Sequence, residues 1–131
     1  AHELGANFEN LVLLGGQAVA GSGNAQANRL DGSQNAAANV LTGGAGNDTY
    51  IVGAGDTTIE AAGGGADVVE SGVTWTLAAE VENLTLTGSA AVNGTGNNVA
   101  NVLRGNGGVN TLIGNGGNDE IRAGNGNDNL Q

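Results

Sequence analysis

Apolar residues recur at a fixed interval along the C-terminal third of the chain. Four aliphatic residues lie nine positions apart, and each comes two residues after an Asn or Asp: Leu103, Leu112, Ile121 and Leu130. Glycine-rich runs separate these short apolar segments. The same interval joins Leu41, Tyr50 and Ile59. A fixed short period is the signature of a protein built by stacking similar units.

The repeat unit predicts strands and turns rather than helices. Each unit contains a run of glycine and asparagine, which tolerate positive φ and favour a tight turn. The three residues after the run are too few for a helix and suit a short strand with one inward side chain. Two such units, with two turns and two strands, make one coil, and coils stack at strand spacing, about 4.8 Å. The pattern therefore predicts an all-β solenoid with a thin core.

A 29-residue segment of the chain occurs twice. Residues 4–32 and 77–105 align without gaps at an offset of 73, and 16 of the 29 aligned positions are identical. Nonapeptide-like turns follow the copies, in residues 39–60 and 96–131. Between the copies, strands joined by glycine turns are predicted in residues 55–60, 63–70 and 73–77. We expect residues 1–131 to form a single solenoid, as a fragment of a longer protein.

Composition and charge narrow the classes of partner. The chain has 26 Gly, no Pro, no Cys and a formal net charge of −10. Collagen is excluded because glycine does not recur every third residue and proline is absent. The only cations besides the single His are Arg29, Arg104 and Arg122, which argues against nucleic acid and anionic membranes. An acidic chain of low hydrophobicity favours metal cations as partners, and predicts disorder where no ligand is bound.

Stacking of coils is expected to bring turn acids close together. Asp128 is predicted to lie one coil above Asn110, and Asp119 one coil above Asn101. Carboxylates at strand spacing repel each other unless a cation lies between them. Glycine turns also offer free backbone carbonyls, and hard oxygen ligands in a flexible cage suit calcium.

Two segments resemble a known calcium-binding repeat. The sequences GGAGNDTYI (residues 43–51) and GNGGNDEIR (residues 114–122) resemble the nonapeptide G-G-x-G-x-D-x-U-x of the RTX, or haemolysin-type, family. The second has Asn115 at one glycine position. The resemblance implies a right-handed parallel β-roll or β-helix, calcium in the turns, type I secretion and folding outside the cell. Asn replaces Asp in four other turns, which we expect to bind calcium weakly or to bond turn backbone through the amide: Asn28, Asn39, Asn101 and Asn110.

The candidate calcium ligands are the acids of the matching turns. Asp48, Asp119 and Asp128 fit the repeat best, and Asp67 is a plausible partner for Asp48 because it follows one coil later, within a single position of exact register. The turn positions expected to contribute with them are Gly43, Ala45, Gly46, Gly105, Gly107, Asn110, Gly114, Gly116 and Gly117. Three nearby acids have two interpretations, as further calcium ligands or as a solvated row of charges at a sheet edge: Asp56, Glu60 and Glu70. We favour the edge, since charged edges block strand-to-strand aggregation. Glu9 and Glu82 are equivalent in the two copies, and we expect them to bond a turn.

These patterns predict a calcium-binding structural module of a secreted or cell-surface protein. Calcium would bridge adjacent coils, so that its binding contributes to folding. Calcium ions and flanking domains of the parent chain are the expected partners, without nucleic acid or membrane insertion. An enzyme is not expected, because a single His next to the terminus cannot build a Ser–His–acid site. The alternative is a recognition or adhesion module, for polysaccharide, ice or a partner protein, on the same solenoid.

Overall fold

Fifteen short strands wind through the computed structural model, which describes residues 1–131. The even-numbered strands are β2 (Asn10–Val12), β4 (Arg29–Asp31), β6 (Thr49–Val52), β8 (Val68–Ser71), β10 (Asn83–Leu86), β12 (Val102–Arg104) and β14 (Glu120–Arg122). The odd-numbered strands are β1 (His2–Glu3), β3 (Ala20–Ser22), β5 (Val40–Thr42), β7 (Thr57–Ile59), β9 (Trp75–Thr76), β11 (Gly94–Thr95), β13 (Thr111–Ile113) and β15 (Asn129–Leu130). No helix long and apolar enough to span a membrane is found.

The strands alternate between two faces of a parallel solenoid. The even-numbered strands form one seven-stranded sheet, ordered β14-β12-β10-β8-β6-β4-β2. The odd-numbered strands form two four-stranded sheets on the other face, β1-β3-β5-β7 and β9-β11-β13-β15. Every pairing is parallel, so each coil adds one strand to each face. The predicted all-β solenoid of stacked coils is confirmed.

The register between strands shows that coil length varies. Val102 pairs with Glu120, a step of two nonapeptides, as the C-terminal repeat predicts. The step from Arg29 to its partner Thr49 is longer, because the turn between β4 and β5 is lengthened. The shortest step on this face joins β8 to β10, where Val68 pairs with Asn83. The two copies of the duplicated segment form equivalent strands, since β4 and β12 have bounds that differ by the sequence offset of 73.

The core is about one inward side chain wide per strand. On the even-numbered face the inward residues pair in register and are fully buried: Leu30, Tyr50, Val69, Leu84 and Leu103. Each buried side chain of this size stabilises the fold by about 1.5–3 kcal/mol. On the other face small and large residues alternate; a Cβ at Gly94 would lie 2.8 Å from Leu84. Leucines from the facing sheet fill the space that glycine leaves.

The odd-numbered face is interrupted between β7 and β9. The two strands do not pair with each other, so one sheet ends at β7 and the next begins at β9. A cleft of about 390 Å³ lies between them, lined by threonines of both strands and by Trp75. The break coincides with the shortest step on the opposite face, between β8 and β10.

Candidate metal centre

A repeated hydrogen bond fixes the turn acids between coils. In each case a backbone N–H of one coil donates to the carboxylate Oδ1 of an aspartate in the next coil, at 2.7–2.9 Å. The donor and acceptor residues are Asn28 and Asp48, Asn39 and Asp56, Asp48 and Asp67, Asn101 and Asp119, and Asn110 and Asp128. A bond to a charged acceptor is stronger than a neutral one. One oxygen of each aspartate thus holds the stack.

Three acids converge at one place in this ladder. Asp48 directly precedes β6, Asp67 directly precedes β8, and Glu60 directly follows β7. One oxygen from each of the three lies within 4.8 Å of the others. The chain therefore brings carboxylates from three separate turns into contact distance of a single ion.

The second oxygen of each aspartate in this cluster has no partner. Asp48 and Asp67 are each 1% exposed, and their Oδ2 atoms are buried without a hydrogen bond. Buried polar atoms are almost always bonded, and a buried charge without a partner is costly. Two such atoms beside a third carboxylate indicate that a cation belongs there.

Tyr50 and Gly43 shape the wall of the cluster. The Tyr50 hydroxyl donates to Glu60 Oε2 at 2.6 Å and so fixes that carboxylate. A Cβ at Gly43 would overlap Asp48 Oδ2 and the Tyr50 hydroxyl. Glycine therefore keeps open the space beside the unpaired oxygen.

The pKa values of Asp48, Asp67 and Tyr50 are raised, which shows that burial and neighbouring charge disfavour their ionised forms. Burial raises the pKa of Asp48 from 3.8 to about 6, against the lowering effect of its bond from Asn28, and the charge of Glu60 raises it further. Burial likewise raises the pKa of Asp67 to about 6, with the bond from Asp48 opposing and Glu60 adding to the rise. Burial and Glu60 also raise the pKa of the Tyr50 hydroxyl. A bound cation would favour the ionised carboxylates.

The ligand chemistry selects the kind of metal. The cluster contains carboxylate oxygens and a phenol oxygen, with no histidine or cysteine. Calcium takes six to eight oxygen ligands in a flexible geometry, whereas zinc prefers nitrogen and sulfur. Asp48, Glu60 and Asp67 fit calcium.

Two other buried aspartates are already satisfied by hydrogen bonds. Asp56 Oδ1 accepts from the backbone and side-chain amides of Asn39, and its Oδ2 accepts from the Gly53 N–H. Asp31 accepts from Ser33 and pairs with Arg29. Glu82 Oε2 accepts the Asp67 N–H, which is the turn-bonding role expected from the duplication.

The solvated edge that the sequence favours for Asp56, Glu60 and Glu70 is wrong for two of these acids. Asp56 is buried and hydrogen-bonded, and Glu60 lies against Asp48 and Asp67. The reason is that β7 ends at Ile59, so the next side chain turns into the space between the coils. Glu70 lies within β8 instead.

The C-terminal acids occupy separate turns. Asp119 and Asp128 are half-buried, and each accepts an N–H from an asparagine of the preceding coil. Gly114 abuts Asp119 Oδ2 as Gly43 abuts Asp48. Neither Asp119 nor Asp128 belongs to a cluster of three carboxylates.

The other predicted turn positions mainly serve the backbone stack. Ala45 donates its N–H to Asn24, Gly46 donates to Gly64, and Gly105 donates to Arg122. The Asn110 amide donates to the Val92 carbonyl at 2.6 Å. The remaining three turn glycines differ in their surroundings. A Cβ at Gly107 would meet open space, and one at Gly116 would lie near Asn98. Gly117 has a positive φ, and a Cβ there would meet the Val99 carbonyl.

Parallel coils with unpaired carboxylates buried between them define a metal-binding repeat solenoid, and the all-oxygen ligand set makes calcium its ion. The profile of the RTX calcium-binding nonapeptide repeat matches residues 22–59 and 95–130 in four copies, which is more than half of the chain. The chain belongs to this family of calcium-binding repeats. The predicted family and its cofactor are therefore confirmed. No curated protein and no solved structure matches the chain significantly.

Proposed function

We propose that the chain is a calcium-stabilised structural module in which Asp48, Glu60 and Asp67 hold an ion between coils. The observation that carries this proposal is the pair of buried Oδ2 atoms without partners, next to a third carboxylate. Asp119 and Asp128 are secondary candidates, since each offers one carboxylate to a glycine turn.

Binding at the cluster would link three strands. Asp48 leads into β6, Glu60 ends β7 and Asp67 leads into β8. Without a cation, repulsion among the three charges opposes this packing. A cation that binds the folded chain and not the unfolded chain adds its binding free energy to stability.

A calcium affinity in the range of extracellular modules would suit an extracellular setting. Extracellular calcium modules bind the ion at about 10⁻⁴–10⁻³ M, so such a module gains stability where calcium is at millimolar level. RTX repeats are typical of secreted bacterial proteins, which supports secretion by the type I route and a place beside other domains of a longer chain. The role assigned here is structural and involves no catalytic step.

Calorimetric titration with calcium tests the proposal. The metal-stripped chain should bind calcium, and Asp48→Asn should weaken the tightest site at least tenfold because a charged ligand is lost. Asp31→Asn is the matched control, since Asp31 is another buried aspartate whose side-chain partners all lie within Arg29–Gln34.

Terbium locates the ion. It takes the oxygen ligands of calcium and emits when a nearby aromatic ring transfers excitation to it. Tyr50, bonded to Glu60, should sensitise this emission, and calcium should displace it. Absence of calcium binding by the wild-type chain, or equal affinities for Asp48→Asn and Asp31→Asn, would refute the assignment.

A further inference from the structure

In three turns of the solenoid, two asparagines four residues apart bond each other through their side chains. Asn35 and Asn39 have the same spacing but lack this bond, because Asn39 Oδ1 accepts the Val19 N–H instead. In the pair Asn97 and Asn101, the Asn101 Oδ1 accepts the Asn97 N–H at 2.8 Å, and the Asn101 amide donates to Asn97 Oδ1 at 3.1 Å. The two side chains therefore lock each other within one turn. Asn101 is 1% exposed and Asn97 is half-buried.

The same pair also grips the coil that precedes it. The Asn97 amide donates to the carbonyls of Ala78 and Val81, at 2.6 and 2.7 Å. The Asn101 amide donates to the carbonyls of Val81 and Glu82, both at 3.2 Å. Two side-chain amides thus occupy the space between turn and carbonyls where a cation could otherwise lie.

The other two pairs repeat this arrangement. Asn24 and Asn28 donate to the carbonyls of Gly5 and Phe8. Asn106 and Asn110 donate to the carbonyls of Thr87, Ala90 and Val92. In each pair the later Oδ1 accepts the N–H of the earlier asparagine, at 2.7–2.9 Å. We refer to these three turns as the asparagine clamps.

The turns of the metal cluster have the opposite polarity. Asp48 and Asp67 accept hydrogen bonds from the preceding coil and have no amide to donate. The position four residues earlier is a glycine with positive φ, Gly44 or Gly63. A clamp has donors where the metal turn has unpaired acceptors.

We propose that the asparagine clamps are metal-independent joints, in which side-chain amides replace the calcium ion between coils. Where the two asparagines bond each other, Asn-x₃-Asn closes the joint with amides, whereas Gly-x₃-Asp in the metal turns leaves the joint to a cation. This inference rests on the proposed function for the metal turns only, because the hydrogen bonds of the clamps need no ion. It assigns no calcium to three turns that the repeat profile covers, at Asn28, Asn101 and Asn110.

Hydrogen exchange on the wild-type chain tests the inference without a variant. We compare amide protection by NMR in chelator and in calcium. Asn24, Asn97 and Asn106, whose N–H groups are bonded inside the clamps, should keep their protection in chelator. Amides at Asp48 and Asp67 should exchange at least about tenfold faster there, because loss of one or two bonds has that effect. Loss of clamp protection in chelator would overturn the inference.

A converted turn provides the second test. Asn97→Gly/Asn101→Asp turns one clamp into Gly-x₃-Asp, with Asp119 of the next coil already bonded to its N–H. We expect this turn to lose protection in chelator, to regain it in calcium, and to add one calcium to the stoichiometry. Asn98→Asp is the control, because it adds the same charge at an exposed position of the same turn.

The outcomes separate the two proposals. If the converted chain is as protected in chelator as the wild type, or if Asn98→Asp gains the same calcium dependence, the clamps do not replace the ion. If the Asp48 and Asp67 amides ignore calcium while the converted turn responds, the proposed metal centre fails and the clamp inference stands. A converted chain that does not fold leaves the wild-type exchange pattern to decide.

Discussion

The substitution Asp67→Asn separates the two roles of a turn aspartate, the hydrogen bond between coils and the binding of the ion. Asp67 Oδ1 accepts the Asp48 N–H at 2.7 Å, and an asparagine keeps that acceptor. Asp67 Oδ2 is the buried atom without a partner, and asparagine replaces it with a neutral amide. The substitution therefore preserves the ladder bond between coils and removes one ligand and one charge from the metal cluster.

The expected effect depends on calcium. One ion in 100-fold excess over its dissociation constant stabilises the native chain by about 2.7 kcal/mol, and in tenfold excess by about 1.4 kcal/mol. These ratios correspond to about 10 mM calcium and the affinities of extracellular modules. At roughly 4 °C per kcal/mol for a chain of this size, calcium should raise the wild-type Tm by about 6–11 °C. Asp67→Asn should lose most of this rise, while in chelator it should be at least as stable as the wild type.

Thermal melts followed by far-UV circular dichroism measure the difference, in calcium and after removal of metal. Asp56→Asn is the matched control, because Asp56 holds the same ladder position but has both oxygens bonded. It should change Tm by the same amount with and without calcium. The reasoning is wrong if Asp67→Asn keeps the full calcium-dependent rise, or if Asp56→Asn loses it.

Two further predictions concern protons and space at the same cluster. Because the pKa values of Asp48 and Asp67 are raised from 3.8 to about 6, the metal-free folded chain binds more protons than the unfolded chain between these values. Its stability should therefore fall as pH rises through this window. Calcium affinity should fall as pH drops below about 6, since protons compete for the carboxylates; melts and titrations across this range would show opposite slopes, and parallel slopes would contradict the assignment. Gly43→Ala should lower calcium affinity at least tenfold by calorimetry, because its methyl group would overlap Asp48 Oδ2. Gly107→Ala, which meets open space, should not, and equal losses would mean that the overlap is irrelevant.

The period of nine made the architecture predictable. One apolar residue per strand, as at Leu103 and Leu112, leaves no alternative to a thin stacked core, and both are fully buried. The stacking of Asp119 over Asn101 and of Asp128 over Asn110 also followed from spacing alone, and the ladder bonds show it. The length of each coil could not be predicted from the period of nine. Insertions in the turns change the number of residues between paired strands without changing which residue points inward.

The full metal cluster could not be obtained from the repeat. Glu60 lies outside the nonapeptide spacing, and its place depends on where β7 ends. The break between β7 and β9, beside Trp75, could not be predicted from the repeat either, because it depends on the pairing of strands from neighbouring coils. The asparagine clamps were partly predictable, because the replacement of Asp by Asn is visible in the sequence and a second asparagine lies four residues earlier. That spacing alone is not sufficient, since Asn35 and Asn39 share it without bonding each other.

Clamps and metal turns together explain how so acidic a chain can have a defined fold. Every buried carboxylate without a hydrogen-bond partner or an ion opposes folding, and a solenoid with unpaired acids in all turns would depend on calcium throughout. Asparagine at Asn28, Asn101 and Asn110 removes that dependence where the amides reach carbonyls of the coil before them. Calcium dependence is then concentrated at the joint of β6, β7 and β8, beside the one break in the odd-numbered face. Repeat arrays gain stability from each interface between neighbouring coils. The ion at this joint therefore has most influence on whether the coils before it, which contain one clamp, and the coils after it, which contain two, fold cooperatively.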